Sequence, residues 1–295
     1  MKRRDFIQKG AISIAGAAAF QVISEKSFAS TKPELIDSVN LGKSGLRVSR
    51  IALGTGTKGW KKESDQTRLG MPRFVDLAKY AYDKGIRFFD TADMYGSHTY
   101  MREALKTIPR EKVTLLTKVM PYDQQGWYKA EPFYKSLDRF RKETGSDYFD
   151  ILLMHCMVNG KWAEQYRKMM DDLSDAKSKG IIKAVGVSCH SMDALLEASN
   201  NPWVDVILAR INHRGNRMDS SPEKVMELLA AAHKNGKGVM GMKIFGCGEL
   251  TKDDEREMSL NFVLKSGNVD CMTIGMESPA QVDDTVARVM RIIHN

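Results

Sequence analysis

Residues 149–187, FDILLMHCMVNGKWAEQYRKMMDDLSDAKSKGIIKAVGV, carry the clearest structural signal of the chain. Two apolar runs, at 149–154 and 182–187, enclose a segment at 163–179 whose apolar residues recur at helical spacing. Both runs are almost continuously apolar, which is typical of strands that are covered on both faces. The stretch therefore predicts a strand, a helix and a second strand that lies parallel to the first.

The same pattern extends over most of the chain. Apolar, strand-like runs start about 22 to 37 residues apart, at 51–53, 88–89, 113–116, 149–154, 182–187, 204–209, 239–242 and 272–274. Amphipathic helical patterns separate most of them, at 74–84, 133–142, 163–179, 223–234 and 281–293. Eight such units predict an α/β protein with a single (β/α)8 TIM barrel, which we expect to occupy residues 30–295.

Ahead of the first unit, residues 39–48 alternate in polarity around a glycine-containing turn. This pattern predicts a short N-terminal β-hairpin that could plug the N-terminal end of the barrel. The main alternative is an open doubly wound sheet, but residues 53–59, LGTGTKG, lack the G-x-G-x-x-G spacing of its phosphate loop. No linker rich in Pro, Gly or Ser indicates a second domain.

The first 29 residues predict a separate segment. A basic start with Arg3 and Arg4 precedes a modestly apolar run at 11–23, which is too short to span a bilayer, and a small-residue end at 27–29. This order resembles a twin-arginine signal peptide, and an amphipathic helix is the alternative. The resemblance implies export of the folded protein by the Tat machinery, cleavage near Ala29, a periplasmic location and no stable membrane insertion.

Composition narrows the possible functions. The formal charge is +8, of which residues 1–29 carry +3, and the remaining excess is diffuse. Without basic blocks or interleaved aromatic residues, we expect no nucleic-acid partner. The cysteines are widely spaced and form no C-x-x-C pair, so they predict neither a metal site nor a disulfide framework; each is expected to be a small buried residue at a strand end: Cys156, Cys189, Cys247 and Cys271.

Ionisable residues follow three neighbouring strands of the predicted barrel. Residues 88–96, FFDTADMYG, place Asp90 at one strand end and Tyr95 shortly after it, while Lys118 and His155 end the next two strands. Considered separately, Lys118 could be part of a structural ion pair, and His155 could be a hydrogen-bonded residue of the core. Together they indicate an active site, because barrel enzymes place their chemistry at the C-terminal strand ends.

Three motifs of this chain resemble the aldo-keto reductase superfamily and occur in the same order as in the family. They are the Asp-Thr-Ala-x-x-Tyr-Gly block, the Thr-Lys strand end and the histidine after the fourth strand. The resemblance covers residues 38–295 and matches all four members of the family's catalytic tetrad: Asp90, Tyr95, Lys118 and His155. It implies a reductase that converts small aldehydes or ketones to alcohols, or the reverse, with NADP or NAD as cofactor.

The chemistry of carbonyl reduction asks for the same residue types. Hydride addition leaves negative charge on the carbonyl oxygen, so a proton donor is needed there, and Tyr95 is the expected acid. We expect Lys118 to lower the pKa of this phenol and Asp90 to orient the lysine. The expected role of His155 is to bind the carbonyl oxygen. A nicotinamide is the implied hydride source, since no side chain supplies hydride.

The resemblance also implies a cofactor site, although the chain departs from the family there. Ser188 is followed by Cys189 where the family commonly has asparagine, and Met242 stands where an aromatic ring often stacks on the nicotinamide. At 206–210 the family's glutamine is absent, and Asn212 follows. The predicted cofactor-binding residues are Gly54, Thr55, Ser188, Asn212, Met242, Lys243, Gly275, Ser278 and Gln281.

The choice between the two nicotinamide cofactors stays open. Ser278, with a proline after it and Gln281 three residues on, predicts a helix N-terminus that can bind an anion. Glu277 would repel the 2′-phosphate of NADPH, and the nearest later arginine is Arg288. NADH is therefore expected to be accepted as well as NADPH or better.

Aromatic and apolar residues in three of the loops are expected to line the substrate pocket: Trp60, Met120, Trp127, Tyr128 and Trp162. Two other functions fit the same barrel. A metal-dependent hydrolase or isomerase would need several ligands at the strand ends, but the H-x-H motif is missing after the first strand and Lys118 stands where a ligand is wanted. A non-catalytic barrel that binds a nicotinamide cofactor is the second alternative.

Overall fold

Ten β-strands are present in the computed structural model, which describes residues 37–295: β1 (Ser38–Asn40), β2 (Arg47–Ser49), β3 (Ile51–Gly54), β4 (Phe88–Asp90), β5 (Thr114–Val119), β6 (Phe149–Met157), β7 (Ile182–Cys189), β8 (Val206–Arg210), β9 (Gly238–Met242) and β10 (Cys271–Gly275). Strands β3 to β10 close into a barrel in the order β10-β3-β4-β5-β6-β7-β8-β9, and all neighbours are parallel. The predicted (β/α)8 barrel is confirmed. The predicted signal at 1–29 lies outside the described residues.

Helices connect the strands: α1 (Asp65–Arg68), α2 (Met71–Asp83), α3 (His98–Ala104), α4 (Phe133–Thr144), α5 (Trp162–Gln165), α6 (Arg167–Ser178), α7 (Met192–Asn200), α8 (Pro222–Lys234), α9 (Asp253–Leu264) and α10 (Pro279–His294). Short 3-10 turns occur at Asp93–Tyr95 and Arg110–Lys112. The helix predicted at 163–179 is divided at Tyr166, which ends α5 and caps α6. No helix within residues 37–295 is long and apolar enough to cross a membrane.

The hairpin of β1 and β2 closes the N-terminal end of the barrel, as predicted. Its strands pair antiparallel, and its residues Leu41 and Val48 are buried in one apolar cluster with inward-facing barrel residues such as Phe88. The contact is close at Gly238, the first residue of β9, where a Cβ would lie 2.6 Å from Cγ of Leu41. The hairpin therefore fills the N-terminal mouth of the barrel.

The cysteines follow the prediction in part. Cys189 and Cys271 are buried at the end of β7 and the start of β10. Cys156 and Cys247 are half-buried instead, and both have a positive φ, of 61° and 59°. Cys156 lies near the end of β6 as predicted but is only half-buried, at a point where the register between β6 and β7 shifts. The prediction is wrong for Cys247, which lies in the loop after β9.

Candidate active site

Tyr95, Asp90, Lys118 and His155 all lie at the C-terminal end of the barrel. Asp90 is the last residue of β4, Lys118 lies near the end of β5, and His155 lies in β6. Tyr95 ends the 3-10 turn Asp93–Tyr95, which follows β4 directly. Parallel neighbouring strands thus bring together the four side chains that the sequence predicts as a group.

Lys118 is fully buried, and two oxygen atoms hold its ammonium group. Its ammonium forms an ion pair with Oδ1 of Asp90 and donates to the carbonyl oxygen of Thr91 at 3.0 Å. The other carboxylate oxygen of Asp90 accepts a hydrogen bond of 2.8 Å from the Thr273 hydroxyl. Burial lowers the pKa of Lys118, and the charge of Asp90 opposes that shift. Asp90 is therefore the ionic partner of the buried lysine.

The Tyr95 hydroxyl faces His155. The distance from the hydroxyl oxygen to Nε2 of His155 is 3.4 Å, and the Lys118 ammonium lies 4.7 Å from the centroid of the tyrosine ring. The expected lowering of the Tyr95 pKa is wrong for this structure: burial raises the pKa well above its ordinary value, and Asp90 adds to the rise. The lysine charge is directed mainly onto Asp90, so the burial of the phenol outweighs it.

His155 is buried as a neutral imidazole. Burial lowers its pKa well below the ordinary value, and the nearby cations Lys118 and Lys243 and the ring of His190 add to the effect. Its Nδ1 atom has no hydrogen-bond partner within residues 37–295. The imidazole thus meets Tyr95 through Nε2, and the two rings are nearly perpendicular, with centroids 5.5 Å apart.

Two glycines in the loop after β3 hold the tyrosine ring, which the sequence analysis did not predict. A Cβ on Gly56 would lie 2.3 Å from Cε2 of Tyr95, and a Cβ on Gly59 would lie 2.5 Å from Cδ1 of the same ring. The glycine-rich stretch 53–59 therefore forms a close-fitting wall for the phenol. The high glycine content of this stretch was the feature of the sequence that could have indicated the contact.

A cleft with a cavity volume of about 120 Å³, partly open to solvent, lies beside Tyr95. Four of the predicted cofactor residues line it: Gly54, Met242, Lys243 and Gly275. Other lining residues, which the sequence analysis missed, are Gly56, Thr57, Leu208, Ile244, Phe245, Cys247, Gly248, Thr273 and Ile274. They come from the strand ends of β3, β8, β9 and β10 and from the loop after β9.

Three predicted cofactor residues are buried and support the backbone around the site. Thr55 bonds the carbonyl oxygen of Asp90 at 2.8 Å, and Ser188 accepts a hydrogen bond from the Cys156 amide at 3.0 Å. Asn212 donates to the carbonyl oxygens of two loops and accepts from two amides of its own loop. None of the three is among the residues that line the cleft.

The other two predicted residues cap α10, which begins shortly after the cleft residue Gly275. The Ser278 hydroxyl accepts from the amide of Gln281 at 3.3 Å, and the Gln281 side chain accepts from the amide of Glu277 at 2.7 Å. The predicted cap is thus present. Arg288 pairs with carboxylates of α9 and α10, at Asp253, Glu257 and Asp284.

None of the five residues predicted to line the substrate pocket is among those that line the cleft beside Tyr95. The rings of Trp60 and Trp127 are 4.9 Å apart in an edge-to-face contact, and Trp60 is exposed. Trp162, in contrast, is fully buried and donates to the carbonyl oxygen of Ala194 at 3.2 Å. Met120 is also fully buried, and Tyr128 is half-buried. Trp162 and Met120 are therefore packing residues.

Comparison with known proteins identifies the family. Residues 50–269 match the model of the aldo/keto reductase family. The chain belongs to this family. As an aldo/keto reductase, it is 25% identical to L-galactose dehydrogenase of Arabidopsis thaliana over 288 residues, which cover 85% of this chain and 88% of that protein.

The NADH-specific methylglyoxal reductase of Escherichia coli is 27% identical to this aldo/keto reductase over 219 residues, which cover 67% of this chain and 64% of that protein. Among solved structures, an aldo-keto reductase from Bacillus halodurans in its holo form shares the fold, with a TM-score of 0.66 at 20% identity over 86% of this chain and 91% of that chain. This aldo/keto reductase is an NAD(P)-dependent oxidoreductase.

Proposed function

We propose that this oxidoreductase reduces aldehydes or ketones to alcohols, or catalyses the reverse reaction, with Tyr95 as the general acid and base. The proposal is carried by one observation. Tyr95 lines the cleft, and its hydroxyl lies 3.4 Å from Nε2 of His155, so that both groups can reach one oxygen atom of a small-molecule substrate.

The lining of the cleft fits a nicotinamide dinucleotide. Gly248 has open space where a Cβ would lie, and Met242 and Ile274 offer apolar contact for a flat ring. Lys243 can pair with a phosphate, and the positive end of the α10 helix dipole favours an anion. When bound, the nicotinamide supplies or accepts the hydride.

In reduction, the Tyr95 hydroxyl donates its proton to the carbonyl oxygen. Its raised pKa keeps the phenol protonated until the oxygen becomes basic. A neutral His155 orients the carbonyl oxygen by a hydrogen bond from Nε2. The buried ammonium of Lys118 then stabilises the phenolate, because a positive charge 4.7 Å from the ring favours the ionised form.

NADH is the better cofactor in this proposal. Glu277 is exposed at the start of α10, and Arg288 is already paired with three carboxylates, so neither side chain favours a 2′-phosphate. The similar protein from Escherichia coli carries NADH specificity in its name, which supports the same preference.

We also propose that the protein acts in the periplasm. The support lies in the sequence of residues 1–29, whose paired arginines, weakly apolar run and small-residue end are those of a Tat substrate. Export of a folded protein suits an enzyme that binds its cofactor before it crosses the membrane.

The direct test compares wild type with Tyr95→Phe. NADH binding is measured by nucleotide fluorescence, and turnover by the loss of NADH absorbance in a panel of aldehydes and ketones. We expect Tyr95→Phe to bind NADH normally and to lose reduction by orders of magnitude. Equal turnover by the two proteins would show that Tyr95 is not the acid. Binding without turnover by wild type would favour the non-catalytic alternative.

A further inference from the structure

Asp93 is a buried carboxylate in the same 3-10 turn as Tyr95. Both of its oxygens accept hydrogen bonds from Arg139 of α4, at 2.7 and 2.9 Å, and Oδ1 also pairs with the ammonium of Lys62. Burial alone would raise the pKa of Asp93, but Arg139 and Lys62 together hold it below its ordinary value. The turn that carries the phenol is therefore anchored by a charged group that faces away from the cleft.

Lys62 also connects this turn to the loop that holds the tyrosine ring. Its backbone amide donates to the carbonyl oxygen of Met94 at 2.9 Å. Its own carbonyl packs against Gly96, where a Cβ would lie only 2.0 Å away. Because Lys62 follows Gly59 by three residues, the Lys62–Asp93 pair fixes the wall and the ring relative to each other.

Hydrogen bonds extend from Arg139 to the strand that carries Lys118. Arg139 donates to Glu143 at 3.0 Å, and Glu143 bonds Nδ1 of His98 at 2.8 Å. Nε2 of His98 bonds the hydroxyl of Thr117 at 2.7 Å, and Thr117 directly precedes Lys118 in β5. One continuous chain of side chains thus joins the turn of Tyr95 to β5.

Three members of this chain, Asp93, His98 and Glu143, also place ligand-type atoms within 4.8 Å of one another. The ligand-type atoms of Asp93 and His98 already have partners. Asp93 accepts from two cations, and both ring nitrogens of His98 form hydrogen bonds. The cluster is therefore better described as a hydrogen-bonded ion-pair network than as a metal site.

We propose that Lys62, Asp93, Arg139, Glu143 and His98 form a positioning network that sets the Tyr95 hydroxyl relative to His155 and Lys118. These residues do not contact the reacting atoms, so they act through Tyr95. The inference rests on the proposed function, in which the phenol must be held within hydrogen-bond reach of a substrate oxygen. A displacement of the order of 1 Å at such a group lowers the rate by about 100-fold.

The chain contains a matched control at the opposite end of the barrel. Asp150 is a buried carboxylate that also pairs with one arginine and one lysine, Arg110 and Lys183. Its ion pairs resemble those of Asp93 in burial and composition, but Asp150 is the second residue of β6 and lies far from its C-terminal end. If the substitutions acted only by lowering stability, variants of the ion pairs of Asp93 and of Asp150 should therefore lose activity to the same extent.

The test compares kcat for Lys62→Met and Arg139→Met with kcat for Lys183→Met and Arg110→Met, each at saturating substrates and below its own Tm. We expect the first pair to lose about 10- to 100-fold in kcat with an unchanged KM for the cofactor, and the second pair to keep its kcat. Lys62→Arg should recover most of the rate, since it keeps the charge and reach. Equal kcat losses in both pairs would overturn the proposal.

Hydrogen exchange separates this inference from the proposed function. Amide exchange in a peptide that covers residues 91–97 should become faster in Lys62→Met and stay unchanged in Lys183→Met. If wild type reduces no carbonyl compound, the proposed function fails while the exchange experiment still tests the network. Unchanged exchange in Lys62→Met would overturn the network whatever the activity of wild type.

Discussion

Gly56 lies against the face of Tyr95, with no space for a side chain between them. A Cβ at this position would come within 2.3 to 2.5 Å of three atoms of the phenol ring. Real Cβ atoms do not approach other atoms so closely, so either the loop or the ring must move if any other residue is present. The position of the proposed acid therefore depends on the absence of one methyl group in the neighbouring loop.

Gly56→Ala is expected to reduce kcat by about 10- to 100-fold, because the ring shifts away from His155. The change should lower Tm only slightly, since the loop lies at the rim of the barrel. Steady-state kinetics and thermal unfolding measure the two effects. Gly160→Ala is the control, because its Cβ would meet only the Asp193 side chain and backbone, at 3.3 Å or more. Wild-type kcat in Gly56→Ala would contradict the expected shift of the ring.

Breaking the buried pair of Asp90 and Lys118 is expected to affect both stability and activity. In Asp90→Asn, the charged lysine stays buried but loses its ionic partner. We expect this loss to lower the free energy of unfolding by about 3 to 5 kcal/mol. Urea unfolding measures this loss. The double variant Asp90→Leu with Lys118→Met should recover part of the stability and no activity. A single variant as stable as wild type would contradict the burial of a charged lysine.

The barrel could be predicted from the sequence because each of its strands has a local signature, a short run of apolar residues. The runs at 149–154 and 182–187 are apolar for the simple reason that both faces of β6 and β7 are covered, and their periodicity needs no knowledge of the rest of the chain. The four catalytic candidates were predictable for a related reason. Each follows a recognisable strand, and the parallel barrel brings the strand ends together.

Contacts between loops could not be predicted in the same way. Gly56 meets Tyr95, and Lys62 meets Asp93, only because two loops of different strands pack on each other. Asn212 has the residue type of an amide-binding group, but its loop folds back and uses both of its polar atoms. The direction of the Tyr95 pKa was also wrong, because burial of the phenol cannot be judged from sequence neighbours.

The pH dependence of turnover follows from the protonation of Tyr95 and His155. Burial keeps Tyr95 protonated well above its ordinary pKa and keeps His155 neutral well below its own. Carbonyl reduction should therefore be nearly independent of pH between about 6 and 9, whereas alcohol oxidation, which needs the phenolate, should accelerate as pH rises. Stopped-flow rates in both directions test this. A loss of reduction on lowering the pH from 7 to 6 would contradict a neutral His155.

Export is expected to depend on the paired arginines. Replacing Arg3 and Arg4 by lysines should retain the protein in the cytoplasm in its full-length form, because the Tat machinery reads the arginine pair. Cell fractionation and intact mass measure the location and the cleavage site, which we expect near Ala29. Replacing Lys26 by arginine is the control, since this residue lies outside the pair. Wild type found only in the cytoplasm at full length would contradict a signal function.

Glu277 provides the sharpest test of cofactor preference, since its side chain is exposed and its charge can be reversed at the surface. Its backbone amide, which bonds Gln281, is unaffected by the substitution. Glu277→Arg replaces repulsion of a 2′-phosphate with attraction, so KM for NADPH should fall by about 10-fold while KM for NADH changes little.

The dependence on ionic strength distinguishes an electrostatic effect of Glu277→Arg from a steric effect. Exposed charges are screened at high ionic strength, so the gain for NADPH should shrink in about 0.5 M NaCl. Glu227→Arg, an equal charge reversal at an exposed position of α8, is the control and should leave both KM values unchanged. If Glu277→Arg and Glu227→Arg lower KM for NADPH equally, the effect belongs to the net charge of the protein, and Glu277 does not lie beside the phosphate.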